Sequence, residues 1–245
     1  MSLDLTHCTL TGVDAKTNLD TIARLSEDFS LVEWGFLYSP TRQGWPGRYP
    51  ANDFLVNAFR GLPQNVRVAL HVCGDGVTNL LQGKRMERRL IDLVVARGGR
   101  VQLNFDQSRC AIPIDNIASI MSLYPAATFI TQGNVGNRGV WQALADRGVS
   151  NHAVLFDSSG GRGIACANWP APIPPPCGYA GRLGPANLGS QLDRIQAVAG
   201  NRPIWIDMEG KLRRPGASDA DWLDTDACRT CLEAVREFQM APTVA

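Results

Sequence analysis

The sequence predicts an α/β protein built as a single (β/α)8 barrel over residues 1–245, with an irregular proline-rich segment after the sixth strand. Three observations carry that expectation. Short apolar or β-branched runs recur along the chain, each leading into a polar or Gly-rich turn and then a stretch of helical periodicity. This is the alternation of parallel strands with covering helices. Eight such beats fit within 245 residues, the size of one barrel. A doubly wound sheet repeats the same βα unit and is the structural alternative.

The elements follow in order. The first strand is expected over Leu3–Leu10, with a helix over Ala15–Asp28. The second strand, Leu31–Tyr38, precedes a helix over Asn52–Phe59. The third, Val66–Val72, runs through the turn Cys73-Gly-Asp-Gly76 into a helix over Thr78–Ala96. Arg100–Phe105 and Ile114–Leu123 form the fourth pair, and Ala127–Gln132 and Arg138–Asp146 the fifth. The sixth strand, His152–Asp157, has no good helix after it, because Cys166-Ala-Asn-Trp-Pro-Ala-Pro-Ile-Pro-Pro-Pro-Cys177 is too rich in proline. It reads as an irregular crossover or lid, since the beat resumes at once with Gly178–Leu183 and Pro185–Ala199. Pro203–Met208 and Thr225–Phe238 complete the set.

Composition narrows the function. Lys plus Arg (24) and Asp plus Glu (23) nearly cancel, and neither sign clusters, so neither nucleic acid nor an anionic membrane is the expected partner. A small molecule is. The N-terminus lacks a basic and apolar leader, and no window approaches the roughly 18 apolar residues of a membrane span. A cytoplasmic protein is expected. The odd set of seven scattered cysteines is then expected to be reduced. Cys228-Arg-Thr-Cys231 lies in a helical pattern without two further zinc ligands, so helix packing is its expected role.

A barrel places its chemistry at the C-terminal ends of its strands. Those ends are polar here: Cys8, Glu33, His71, Asn104, Gln132, Asp157, Asp207 and Glu209. Each alone is explicable as a satisfied rim residue. Together they are expected to converge on one cavity.

Several segments resemble phosphoribosylanthranilate isomerases. They are Leu155-Phe-Asp-Ser-Ser-Gly-Gly-Arg-Gly163, Tyr179-Ala-Gly-Arg-Leu-Gly-Pro-Ala-Asn187 and Trp205-Ile-Asp-Met-Glu-Gly210, with His7-Cys-Thr-Leu-Thr11, Trp34-Gly-Phe36 and Gln102-Leu-Asn104 toward the front. Their order and spacing agree with that family across nearly the whole chain. The resemblance implies a (β/α)8 barrel that performs an Amadori rearrangement in tryptophan biosynthesis, converting an aminoaldose to an aminoketose with neither cofactor nor metal. It implies Asp157 as the acid that opens the sugar ring and Cys8 as the base that removes the C2 proton. Asp157 would need burial or the neighbouring Asp207 and Glu209 to raise its pKa, and Cys8 would need its thiolate stabilised. His7 alternates to the other side of the strand and is not recruited.

The resemblance further implies an arginine after the second strand that grips the substrate carboxylate. Arg48 in Pro46-Gly-Arg-Tyr49 is the first choice and Arg42 the second, with Trp45 available to cover a ring. Asn104 takes the place of a family histidine. A phosphate would rest on backbone N–H groups after the seventh and eighth strands, where Gly181, Gly184 and the helix start at Pro185-Ala-Asn187 keep part of the cradle, and Gly160 and Gly161 after the sixth strand are further substrate-binding candidates. Departures concentrate there. Arg182 replaces a glycine, and Glu209 replaces a serine beside the phosphate, a repulsion that Arg182 and Lys211 would have to offset. The expected substrate is a sugar or sugar phosphate, with identity changed from the family's, and a homodimer is one admissible assembly. Two other readings stand beside the isomerase. One is a barrel that binds a sugar or metabolite without turnover. The other is a lyase or hydrolase using Asp157, Asp207 and Glu209, with His71 available to ligate a divalent ion.

Overall fold

Eight parallel strands close on themselves in sequence order, each bonded to the next and the last to the first. The computed structural model describes residues 3–157, 164, 166–216 and 221–241. The strands are β1 (Leu5–Thr11), β2 (Val32–Tyr38), β3 (Arg67–Cys73), β4 (Arg100–Asn104), β5 (Phe129–Gly133), β6 (His152–Asp157), β7 (Cys177–Ala180) and β8 (Ile204–Met208). The closed sheet rules out the doubly wound alternative. Around it lie α1 (Leu19–Asp28), α2 (Asn52–Gly61), α3 (Asp75–Leu81), α4 (Arg85–Val95), α5 (Ile114–Leu123), α6 (Val140–Ala145), α7 (Leu188–Ala199) and α8 (Thr225–Met240).

Local chemistry moves several boundaries from their expected places. Helix α1 begins at Leu19 rather than Ala15, because Asn18 Oδ1 accepts from the Asp20 and Thr21 N–H groups and fixes the first turn. The long helix expected over Thr78–Ala96 is two helices. Gly83 adopts a left-handed φ of 74°, which ends α3 and lets α4 restart. Strand β7 stops at Ala180 instead of Leu183, since Arg182 also turns left-handed, at φ 58°. A short antiparallel hairpin, β9 (Arg213–Pro215) with β10 (Asp221–Leu223), follows the 3-10 turn Gly210–Leu212 and was not foreseen.

The proline-rich segment is irregular and tucked in. Trp169 is buried and donates to Gln191 Oε1 on α7 at 3.0 Å, while Tyr179 donates to the Pro170 carbonyl at 2.8 Å. Trp169 also meets Tyr179 edge to face at 5.6 Å. These contacts make it a packed crossover. Cys228 and Cys231 are fully buried one helical turn apart on α8, the packing role their pattern implied.

The two faces of the sheet bury different chemistry. Outside, Leu10, Trp34, Phe36, Leu70 and Phe129 pack under the helices in one large apolar core. Inside, the β5–β8 side is apolar, with Ile130, Ala153, Leu155 and Trp205 in contact. The β1–β4 side is charged. Arg100 Nε donates to Glu33 Oε1 at 2.8 Å and its Nη2 to Glu33 Oε2, while Thr9 Oγ1 donates to Glu33 Oε2 at 2.8 Å. The Arg100 guanidinium also lies 4.7 Å over the Trp205 ring, so the pair spans the barrel. Burial alone would push the Glu33 carboxyl up, but the charge and hydrogen bonds of Arg100 outweigh it and hold it at about 2.

Candidate active site

Above that plug, at the C-terminal ends of the strands, opens a cavity of about 600 Å³. Of the eight polar strand-end residues, it receives His71, Asn104, Gln132, Asp157, Asp207 and Glu209. Two do not reach it. Glu33 lies in the plug below with Arg100. Cys8 is fully buried within the apolar core, beside Cys231 and Cys228 of α8.

The placement of Cys8 corrects the expectation that it serves as the base. Strand β1 sends Thr9 to the Glu33–Arg100 pair and Thr11 to Asp207, so alternation turns Cys8 and Leu10 toward the helices. Burial raises the Cys8 pKa well above the ordinary thiol value, and Cys231 and Cys228 push the same way. His7 is on the inward side. Burial, then Arg100, hold its pKa at about 4.

Asp157 and Asp207 face one cavity from strands separated by one other. Asp157 is in register with Ala180 on β7, and Ala180 with Asp207 on β8, so the two stand at one height with a methyl group between them. With neighbouring strands roughly 4.8 Å apart, their backbones are about 10 Å apart. Gln132 Nε2 donates to Asp157 Oδ2 at 3.3 Å. Asp207 Oδ1 accepts from Thr11 Oγ1 at 2.8 Å, and its Oδ2 lies 3.8 Å from His71 Nε2. Gly35 makes that approach possible, since a Cβ there would sit 2.3 Å from Thr11 Oγ1. Burial pushes the Asp207 carboxyl up, to about 8, with the Thr11 bond opposing the rise and Glu209 adding to it. Burial holds His71 at about 4, so this imidazole is neutral at pH 7.

Arg48 does line the cavity, but carboxylates of the chain itself hold it. Its Nη1 donates to Glu209 Oε1 at 2.5 Å, and its Nη2 and Nε to Asp221 at 2.7 and 3.3 Å. Asp221 is held in turn by Arg213, whose guanidinium also pairs with fully buried Asp14 at 3.0 Å. Arg42 lies over the Tyr49 ring at 5.7 Å and does not line the cavity. Trp45 is exposed and likewise outside the lining.

The residues expected to cradle a phosphate are only partly brought to the cavity. Gly181, Arg182 and Lys211 line the cavity, and among the described residues neither Arg182 nor Lys211 has an ion-pair partner. The Gly184 N–H, however, is taken by Asn187 Oδ1 at 2.9 Å, and Asn187 Nδ2 donates to the Arg182 carbonyl. Gly160 and Gly161 lie outside the described residues. Among the described residues, no three His, Cys, Asp or Glu side chains are grouped to hold a metal ion. No helix among them is long and apolar enough to cross a membrane.

Sequence reasoning missed Thr11 and Gln102, which line the cavity. Parity was the available signal for Gln102, two residues before Asn104 and therefore on the same face.

No protein-family model matches the chain, and no curated protein matches it in sequence. Solved structures do. TrpF from Jonesia denitrificans superposes with a TM-score of 0.60 at 14% identity, covering 96% of this chain and 98% of its own. Phosphoribosylanthranilate isomerase from Thermotoga maritima superposes at 0.57 and 15%, covering 94% and 99%. A phosphoribosylanthranilate isomerase in complex with reduced 1-(o-carboxyphenylamino)-1-deoxyribulose 5-phosphate gives 0.55 and 15%, covering 96% and 99%. The chain therefore has the closed eight-stranded barrel fold of the phosphoribosylanthranilate isomerases, end to end, at a sequence identity of 14–15% to these three.

Proposed function

We propose that this barrel is an acid/base isomerase of the aldose–ketose (Amadori) type, acting on an N-glycosyl sugar or sugar phosphate through Asp157 and Asp207. The observation that carries the reading is the pair of carboxyl groups that face one cavity at one height across Ala180, with burial raising the pKa of Asp207. Asp207 donates its proton to the ring oxygen, the C1–O bond breaks, and a Schiff base forms. Asp157 takes the C2 proton to give the enolamine and returns it to C1, while the C2 hydroxyl proton goes back to Asp207. Both groups end as they began, and no net oxidation occurs. This division differs from the sequence expectation, which made Asp157 the acid and Cys8 the base. The structural likeness to phosphoribosylanthranilate isomerases supports the reaction class, and with it a place in tryptophan biosynthesis.

The test is the fluorescence decay of freshly generated phosphoribosylanthranilate. Asp157→Asn and Asp207→Asn are each expected to slow turnover by at least about 100-fold, whereas Cys8→Ala retains it. Loss of turnover in a folded Cys8→Ala protein would overturn the assignment of the base. No decay above background with wild type would remove this substrate.

One observation favours a second reading, a barrel that binds a sugar without converting it. Arg48 and the Gly184 N–H, the two grips expected for carboxylate and phosphate, are both engaged by the chain's own groups. Ligand binding without turnover would select it.

A further inference from the structure

Five buried side-chain polar atoms lack a hydrogen-bond partner among the described residues, and two of them, His71 Nε2 and Gln102 Oε1, belong to residues lining the active cavity. Buried orphans of this kind are costly and uncommon in a native interior. These two are also adjacent, since His71 and Gln102 are register partners on β3 and β4. The orientation of the Gln102 amide is set by its neighbour on the same strand face. Its Nε2 donates to Asn104 Oδ1 at 2.9 Å, and Asn104 Nδ2 to Cys73 Sγ at 3.4 Å, which leaves the oxygen as the unused atom. Asp207 Oδ2 stands 3.8 Å from His71 Nε2, too far for a direct bond and near enough to share a third group.

We propose that the cavity floor is a hydroxyl-binding subsite, in which one sugar hydroxyl accepts from His71 Nε2–H and donates to Gln102 Oε1 beside Asp207. The proposal rests on the isomerase reading and narrows its substrate to one that places a free hydroxyl at the floor. The donor and acceptor pattern does the selecting. A carbonyl or carboxylate oxygen would leave Gln102 unsatisfied, and an ammonium would offer His71 no acceptor. A hydroxyl serves both. Neutrality of the imidazole suits this role, since the subsite then adds no charge beside the proton-transferring Asp207. Both groups act by positioning the sugar, and they leave the proton transfers to Asp157 and Asp207.

Calorimetric titration of the full chain with ribitol, D-ribitol 5-phosphate and the 1-, 2-, 3- and 4-deoxy analogues of whichever binds would test this. One deoxy analogue is expected to bind wild type roughly tenfold more weakly than its parent, and that penalty is expected to fall below about twofold in Gln102→Met. His71→Asn provides the same comparison should Gln102→Met not fold. An equal penalty in wild type and variant, no penalty for any analogue, or no binding of either polyol would overturn the subsite, and so would a bound structure in which water alone fills the floor. The two proposals separate cleanly. Turnover without a hydroxyl penalty removes the subsite alone, and a penalty without turnover removes the isomerase reading alone.

Discussion

Arg48 and Glu209 hold each other at the rim of the barrel, Nη1 donating to Oε1 at 2.5 Å, so that the loop after β2 is fastened to the end of β8 past the intervening β1. An arginine that would grip a ligand carboxylate already has one from the chain. A ligand carboxylate would have to compete with Glu209 for Arg48, while Arg182 and Lys211 line the same cavity.

Replacing Glu209 by Gln should return Arg48 to solvent-borne carboxylates. The affinity for anthranilate, measured by calorimetric titration, is expected to rise about tenfold, the worth of one charge-assisted bond. Both partners are about one-third exposed, so folding stability should fall by no more than about 1 kcal/mol. Unchanged affinity would mean that Asp221 alone is enough to keep Arg48 occupied.

Arg182 is the non-glycine residue with a positive φ among the described residues, and it sits where the anion-binding turn would be. Holding a side chain in that conformation costs about 1 kcal/mol. Arg182→Gly should therefore raise Tm by roughly 2–4 °C and weaken the binding of inorganic phosphate. A lower Tm in scanning calorimetry would show that contacts of the arginine outweigh the strain.

The Asp207 carboxyl titrates at about 8 in the fold, well above its unfolded value near 3.9. Between those limits the unfolded chain ionises while the native protein keeps the proton. The contribution of this group to stability is complete below pH 4, declines as pH rises, and reaches its minimum above pH 8. Asp207→Asn should flatten that decline, gaining on the order of several kcal/mol relative to wild type at pH 8 and little at pH 4. Urea unfolding at the two pH values measures the difference, and parallel curves would refute the buried, protonated state. Turnover should also fall above pH 8, as the donated proton is lost.

Glu33 and Arg100 behave in the opposite sense. Removing the charge with Glu33→Gln leaves a buried guanidinium uncompensated, and a loss of about 3–5 kcal/mol is expected in urea unfolding. The double variant Glu33→Met with Arg100→Met should recover most of it. Because the folded pKa of Glu33 is depressed to about 2, its contribution is present above pH 4–5 and disappears as pH falls toward 2. A negligible loss in Glu33→Gln would mean that water reaches the pair.

The barrel was legible because its strands are short apolar runs at regular spacing, and His152–Asp157 and Ile114–Leu123 fall where the pattern put them. The facing of Cys8 was not legible. In an open half-buried sheet the apolar residues mark the core side, but a barrel strand is buried on both faces, so Cys8 and Thr9 give no sign of which looks inward. The answer lies in partners distant in sequence, Glu33 for Thr9 and Asp207 for Thr11. The β9–β10 hairpin escaped for a similar reason. Its strands are three residues each, and what fastens it is the ion pair between Arg213 and Asp14. Asp157, Asp207 and Glu209 could be expected at the cavity because carboxylates at strand ends are conspicuous, whereas Gln102, which also lines it, lies two residues before Asn104 within its strand.

The plug of Arg100, Glu33 and Trp205 closes the barrel beneath His71 and Gln102, so the described cavity is a blind well with one open end. On the isomerase reading, product leaves by the opening that admits substrate, and Arg48 and Arg182 line that cavity. On that same reading, added product should compete with substrate for the one cavity, and release would govern turnover once chemistry is fast.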